Sequence, residues 1–294
     1  MRSSFLDPAL ATLVLLAGCG NPPIEPEPRL FLDGAFEFEV TRGIFFATGT
    51  VRSPSPGEKD LLLDVYFPTD ERVPALRPGF VVVHESFDNG TRVSPTAVHL
   101  AEGYARRGYV TISMDYRQPQ DDPPTEHLAR DPNDPASVAA AAARVDASRA
   151  VEWLRANAAT YGVDPGRIAV GGFSAGAITS LGLAYRDPGE DGAEAQAVVS
   201  MAGGLYGQES IIEAGDPPVI LLHGTADPTV PFSQSEAIVA RAVDVGLTYE
   251  FYPIEGGGHQ VRPELGRIVD GMSLEDRIAD FLYRHLDLSG AAGS

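Results

Sequence analysis

One stretch, Arg167 to Asp187, constrains the fold of this chain more than any other. It reads RIAVGGFSAGAITSLGLAYRD and contains the pattern Gly-x-Ser-x-Gly over residues 172–176. The apolar residues before the pattern predict a buried strand, and those after it recur at helical spacing. Such a context is typical of a sharp strand-to-helix turn that presents a nucleophilic serine, here Ser174. Gly172 and Gly176 are then the small residues that let the strand and the helix approach closely.

Further strands and helices alternate on both sides of this turn. An antiparallel opening pair is predicted at 43–51 and 61–68, later strands at 79–85, 109–116, 167–172, 195–203, 217–224 and 248–254, and helices at 97–108, 136–162, 233–246 and 274–286. This alternation predicts an α/β fold, with a mostly parallel central sheet and helices on both faces. The stretch between Met201 and Pro217 is too short for a large lid domain, so we expect an open or shallow site.

A serine hydroxyl needs a base to become a good nucleophile, and imidazole has the right basicity near neutral pH. His259 is the predicted base because it follows YPIEGGG, a strand that runs into three glycines. Those glycines allow a loop to fold over the sheet edge. The other five histidines lie at strand ends, on predicted helices or in an acidic loop: His84, His99, His127, His223 and His285.

The acid that orients the histidine is predicted to be Asp227, in the turn after a buried strand. Ligand chemistry in open α/β sheets lies at this end of the strands. By itself Asp227 is better explained as a residue that caps the turn in DPTV. The order serine, aspartate, histidine favours the catalytic interpretation, because α/β-hydrolases have their triads in this order. Asp115 and Glu255 are the alternative acids.

Two backbone N–H groups are needed to bind the oxyanion of a tetrahedral intermediate. Ala175 follows the serine and supplies one by position. The second is expected from the loop after strand 79–85, where Ser86 is the first choice and Phe87 the alternative.

From about Leu61 to its end the chain resembles the α/β-hydrolase superfamily, in particular its small esterase and dienelactone hydrolase-like branches. The stretches VVVHESF, RGYVTISMDYR, YGVDPGRIAVGGFSAGA and HGTADPTVPF carry the resemblance. It implies hydrolysis of carboxylic esters through an acyl-enzyme, and we expect neither a cofactor nor a metal. Dienelactone hydrolases use a cysteine nucleophile, so Ser174 favours ordinary esters, either small molecules or groups borne on a polymer.

The sequence also allows two other functions. One is a non-catalytic binding protein that keeps the hydrolase scaffold, because a fold does not imply a function. The other is a peptidase-type acyl hydrolase, although such enzymes normally carry a propeller domain for which this chain has no length.

The first residues predict export. Residues 1–18 have an early arginine and a short apolar run, as in a signal peptide, and Leu-Ala-Gly-Cys resembles a bacterial lipobox. Cys19, the only cysteine, is therefore the predicted lipidation site, with an ordinary secretory signal as the alternative. Residues 19–30 read as a Pro- and Glu-rich tether and 31–294 as the hydrolase domain. The expected location is a bacterial membrane, with the protein facing the periplasm or the exterior. Because Gly20 rather than aspartate follows the cysteine, the lipoprotein sorting pattern implies the outer membrane.

The composition limits the partners. The formal net charge is −19, from 22 basic and 41 acidic residues. Nucleic acid and anionic lipid surfaces are therefore poor partners, and membrane contact is expected through the lipid anchor only. The acidic residues of 119–135 lack the ligand spacing of a calcium loop, so this segment is predicted to be a solvated, proline-rich loop.

Overall fold

An eight-stranded sheet forms the centre of the molecule in the computed structural model, which describes residues 27–186 and 195–290. Its strands are β1 (Phe38–Val51), β2 (Gly57–Pro68), β3 (Arg77–Val83), β4 (Val110–Met114), β5 (Val163–Phe173), β6 (Ala197–Met201), β7 (Val219–Gly224) and β8 (Tyr249–Ile254). They lie in the order β1-β2-β4-β3-β5-β6-β7-β8. Strand β2 is antiparallel to β1 and β4, and all other neighbours are parallel. The mostly parallel sheet predicted from the sequence is confirmed.

Helices cover both faces of the sheet. They are α1 (Pro95–Ala105), α2 (Pro135–Ala156), α3 (Ala158–Tyr161), α4 (Ala175–Tyr185), α5 (Ser233–Val245) and α6 (Leu274–His285). On strand β3, Val81 and Val83 belong to a core with α2, α4 and α5, whereas Phe80 and Val82 belong to a second core with α1 and α6. Successive strand residues point to opposite faces, so a strand buried on both sides is apolar throughout.

The predicted helix 136–162 is wrong in one respect, because it is interrupted at Asn157. Both the backbone N–H and the side-chain amide of Asn157 donate to the carbonyl of Trp153, at 3.0 and 2.8 Å. The side chain of asparagine competes with the helical hydrogen bonds in this way. Helix α2 therefore ends at Ala156, and the short α3 is closed by Gly162 with φ 68°.

The acidic segment 119–135 is less solvated than predicted. Thr125 is buried, and its hydroxyl donates to the carbonyl of Val138 at 2.8 Å. Asp121 pairs with Lys59 at 2.6 Å, and Glu126 pairs with Arg52. These contacts hold the segment against the sheet and the start of α2.

Small elements complete the described chain. They are four 3₁₀ turns, at Pro119–Asp121, Glu126–Leu128, Glu209–Ile211 and Arg262–Glu264, and a ribbon of β9 (Ile268–Val269) and β10 (Met272–Ser273), none of which was predicted. Between β6 and β7 the described residues hold only one such turn, in keeping with the expectation that no large lid domain is present. No helix within 27–186 or 195–290 has the length and apolar character needed to cross a membrane.

The predicted signal peptide, Cys19 and most of the predicted tether fall outside the described residues. Phe31, where the hydrolase domain was predicted to begin, is fully buried. Its ring meets that of Tyr109 edge-on, with centroids 5.7 Å apart.

Candidate active site

Ser174 occupies the turn between strand β5 and helix α4. Its backbone has φ 54° and ψ −117°, a conformation that is costly for a residue with a side chain. The N–H of Ser174 donates to the carbonyl of Met201 on the neighbouring strand β6 at 2.8 Å. Its own carbonyl accepts from Ile178 at 3.0 Å and so starts the helix. The surrounding hydrogen bonds therefore hold the strained turn.

The residues two positions before and two positions after Ser174 have no room for a side chain. A Cβ atom on Gly172 would lie 2.3 Å from the carbonyl oxygen of Val83, and one on Gly176 would lie 2.0 Å from the same oxygen. Real Cβ atoms do not approach so closely. The end of β3 therefore packs against the turn only because both positions are glycine.

His259 reaches the site on the loop after β8. A Cβ atom on Gly224 would lie 2.3 Å from the carbonyl oxygen of Gly257, so this loop crosses the end of β7 in close contact. The carbonyl of Gly257 accepts from Ala226 N–H at 2.9 Å. The HGTAD stretch at the end of β7 thus fixes both the loop that carries His259 and the turn that carries Asp227.

The serine, histidine and aspartate selected from the sequence are hydrogen-bonded in series. His259 Nε2 lies 2.9 Å from Ser174 Oγ, and His259 Nδ1 lies 2.8 Å from Asp227 Oδ2. An ionised carboxylate only accepts hydrogen bonds, so Nδ1 carries the proton and Nε2 accepts from the serine hydroxyl. The side chain of Asp227 is 0% exposed and that of His259 is 14% exposed. The series therefore runs from a buried carboxylate to an accessible hydroxyl.

The surroundings of Asp227 keep it ionised. Burial opposes its charge, but hydrogen bonds from His259 and from the backbone N–H groups of Thr229 and Val230 outweigh burial and lower its pKa. A negative charge at this position orients the imidazole and stabilises it when it is protonated.

A second histidine, which sequence reasoning passed over, also contacts this carboxylate. His223 is fully buried, with Nε2 at 3.0 Å from the carbonyl of Val230 and 3.2 Å from Asp227 Oδ2. Its Nδ1 lies 2.7 Å from the hydroxyl of Ser235. Because both partners of Nε2 are acceptors, Nε2 carries the proton, and burial lowers the pKa of His223, so the ring is neutral. The only sequence signal for this contact is that His223 ends an apolar strand four residues before Asp227.

The two alternative acids lie elsewhere. Asp115 pairs with Arg92, whose Nη1 is 2.6 Å from Oδ2 and whose backbone N–H donates to Oδ1 at 3.0 Å. Glu255 is exposed. Neither is hydrogen-bonded to His259.

Hydrogen bonds from Tyr116 and His84 fix the loop that is predicted to supply the second oxyanion donor. The hydroxyl of Tyr116 donates to the carbonyl of Ser86 at 2.8 Å, and His84 Nδ1 donates to the carbonyl of Glu85 at 2.8 Å. Ser86 has φ 74°, and its Oγ accepts from the N–H of Asp88 at 3.0 Å. Both Ser86 and its alternative Phe87 line the same cavity as Ser174.

Ser174 and His259 open into a cavity of about 710 Å³. One wall comes from the loop that contains Ser86 and Phe87, and another from the acidic segment, through Leu128. Within the described residues no group of three or more histidine, cysteine, aspartate or glutamate side chains is arranged to hold a metal ion.

Two protein families match parts of the chain. Residues 131–270 match the family described as phospholipase/carboxylesterase, and residues 63–191 match the family described as BD-FAE. Among characterised proteins, the chain is 26% identical to the esterase LipQ of Mycobacterium tuberculosis over 276 residues. That alignment covers 77% of this chain and 60% of the relative, so the chain spans less than two thirds of the relative's length.

Solved structures of an esterase from the planctomycete Thermogutta terrifontis are similar to most of this chain. The butyrate-bound form superposes with a TM-score of 0.60 at 25% identity, over 77% of this chain and 89% of that one. The form phosphorylated by paraoxon gives a TM-score of 0.63 at 25% identity, over 84% and 94%. The chain has the α/β-hydrolase fold.

Proposed function

We propose that this protein is a serine hydrolase that cleaves carboxylic esters through an acyl-enzyme. The observation that carries the proposal is the hydrogen-bonded series from buried Asp227 through His259 to Ser174, which ends in an accessible cavity. The two matching families and the similarity to two esterases support the same class of reaction.

In the first half of the reaction, Ser174 Oγ attacks the carbonyl carbon of the ester while His259 Nε2 takes the hydroxyl proton. The imidazolium that forms is stabilised by the carboxylate of Asp227. The tetrahedral intermediate then collapses, the bond to the alcohol oxygen breaks, and the imidazolium returns its proton to that oxygen. The alcohol leaves, and the acyl group stays on Ser174.

Backbone N–H groups of Ala175 and Ser86 are the proposed donors to the oxyanion. Ala175 is the first residue of helix α4, so its N–H has no acceptor within the helix. The positive end of the helix dipole adds to its effect. For Ser86 the support is its position in the cavity, on a loop fixed by Tyr116.

In the second half, a water molecule enters from the cavity and attacks the acyl carbonyl. His259 Nε2 takes the proton of the water and returns it to Ser174 Oγ when the acyl bond breaks. The acid leaves, and the site is restored without a cofactor.

The proposal is tested with p-nitrophenyl acetate and purified protein lacking the first thirty residues. We expect wild-type turnover, and a loss of several orders of magnitude for Ser174→Ala and for His259→Ala. The double variant should be hardly slower than either single variant, because the two side chains act as one unit. Ser55→Ala, at an exposed serine outside the cavity, is the control and should match wild type. Turnover that survives in Ser174→Ala would refute the assignment.

Export and lipid anchoring remain part of the proposal. They rest on residues 1–19, with the lipobox-like sequence before Cys19 as their support. The proposed location is the outer membrane of a bacterium, facing the periplasm or the exterior.

A further inference from the structure

The cavity at Ser174 extends along one face of helix α4. Its lining includes Ser174, Ile178, Gly182 and Arg186, which are spaced by four residues and therefore lie in a row. Twelve residues at the helical rise correspond to about 18 Å. The cavity is thus a groove that leads from the serine to the far end of the helix.

Small and apolar residues form much of the middle of this groove. Helix α2 contributes Ala140 and Ala141, and the segment after β6 contributes Leu205, while Arg144 of α2 also lines the cavity. A Cβ atom on Gly182 would make an ordinary contact of 3.5 Å with Arg144, so this position has room for a methyl group. The hydroxyl of Thr179 is already bonded to the carbonyl of Ala175 at 2.8 Å and offers no free donor.

The far end of the groove is cationic. The guanidinium of Arg186 donates to Gln208, a neutral partner, and it has no ion pair with any residue in 27–186 or 195–290. Burial lowers the pKa of Arg186, yet an arginine stays protonated in proteins. Arg92 and Arg117, by contrast, are paired with Asp115 and Asp146. Within the described residues the half-buried Arg186 has only a neutral partner, which leaves its charge open to an anionic group of a substrate.

We propose that this groove selects esters with one long apolar arm that ends in a carboxylate. The arm lies along α4 over Ile178 and Gly182, and the carboxylate is bound by Arg186. A guanidinium binds a carboxylate through two parallel hydrogen bonds, which are strong in a partly desolvated site. The net charge of −19 repels anions at long range, but screening limits that repulsion, whereas the contact with Arg186 is direct. This substrate class rests on the proposed esterase function.

The first test compares charged and neutral substrates of equal length. The acyl series consists of mono-p-nitrophenyl esters of dicarboxylic acids from succinic to dodecanedioic acid, against the p-nitrophenyl esters of the matching monocarboxylic acids. The alcohol series consists of acetates of ω-hydroxy acids and of simple alcohols. In one of the two series, kcat/KM should favour the carboxylate once the arm is long enough to reach Arg186.

Arg186→Gln should lower kcat/KM for the long carboxylate by about ten- to a hundredfold, the range for a hydrogen bond to a charged group. The loss for p-nitrophenyl acetate should be much smaller, because its short acyl group does not reach the far end of the groove. Arg106→Gln removes the same charge from an exposed arginine outside the cavity and should change neither rate. Equal losses for long and short esters, or no preference for carboxylates in wild type, would overturn the proposal.

A second variant tests the path of the arm. Gly182→Leu places a side chain in the middle of the groove and should reduce kcat/KM much more for long esters than for p-nitrophenyl acetate. Gly182→Ala is the matched control and should retain most activity on both. If Gly182→Leu hydrolyses long esters as well as wild type does, the arm lies elsewhere.

A binding measurement separates this inference from the esterase proposal. Monomethyl sebacate is titrated calorimetrically into Ser174→Ala and into the same variant carrying Arg186→Gln. Binding that weakens about tenfold or more with the second change supports the groove even if no turnover is found. Equal binding by both proteins, or none by either, overturns the groove, and p-nitrophenyl acetate turnover by wild type still decides the esterase proposal.

Discussion

His223 Nε2 lies 3.2 Å from Oδ2 of Asp227, the same carboxylate oxygen that accepts from His259. His223 is neutral, fully buried and fixed by Ser235 on its other nitrogen. The hydrogen bond of its Nε2–H is to the carbonyl of Val230, at 3.0 Å, so the acid of the proposed triad has a neutral N–H dipole beside it. His223 also fixes Val230, whose backbone N–H donates to the other oxygen of Asp227.

His223→Leu is expected to lower kcat/KM on p-nitrophenyl acetate by up to about tenfold, because it removes a neutral N–H dipole beside the charged acid and the hydrogen bond that fixes Val230. His223→Gln, whose amide can donate from a similar place, should recover most of that loss. Unchanged steady-state kinetics in a folded leucine variant would show that His223 only fills space.

Asp227→Asn should reduce kcat by about four orders of magnitude, because the amide favours the wrong imidazole tautomer. Asp115→Asn is the comparison, since Asp115 pairs with Arg92 and does not touch His259. It should cost stability and leave kcat on p-nitrophenyl acetate largely intact. Steady-state kinetics of both variants decide between the two acids, and a larger loss of kcat in Asp115→Asn would contradict the assignment.

Gly176→Ala should destabilise the fold by about 3 kcal/mol or more, because its methyl group would overlap the carbonyl of Val83 and overpacking of this kind is costly. Gly182→Ala is the control on the same helix, where the added methyl group makes an ordinary contact and alanine is the better helix former. It should be neutral or slightly stabilising. Urea unfolding of both variants gives the comparison, and two variants of equal stability would show that the turn tolerates a side chain.

Much of the fold and the three residues of the proposed triad could be predicted from the sequence, because both leave local patterns. Apolar runs indicated the strands. Ser174, Asp227 and His259 could be distinguished from the other polar residues because they follow one another along the chain in the order of an α/β-hydrolase triad. The contact of His223 with Asp227 could not be predicted in this way, since an apolar strand ending in histidine has the same pattern whether or not the ring meets a carboxylate. The break at Asn157 depends on a side-chain conformation that helical periodicity does not encode.

The walls of the groove beside Ser174 could not be predicted from the sequence either. The acidic segment 119–135 has the composition of a solvated loop, yet contacts with distant residues such as Lys59 and Arg52 hold it in place, and Leu128 within it lines the cavity. The spacing of Arg186 from Ser174 puts both on one face of helix α4, but only the packing of α2 beside α4 forms a cavity that contains both.

Cys19→Ser is expected to prevent lipidation of the full-length protein, because the thiol is the proposed attachment point. Metabolic labelling with a fatty-acid analogue should mark the wild type and not this variant. Fractionation should find the variant in the soluble fraction or tethered by its uncleaved signal peptide. Protein that begins near Phe31 should remain folded and active on p-nitrophenyl acetate. Wild type without label would contradict the lipoprotein proposal.

The proposed activation of Ser174 by His259 is tested with a fluorophosphonate probe and peptide mapping by mass spectrometry. We expect one label per chain, on the peptide that contains Ser174, no labelling of Ser174→Ala, and labelling slowed by orders of magnitude in His259→Ala. A label on a different serine, or a folded wild-type protein that takes up no label at all, would contradict it.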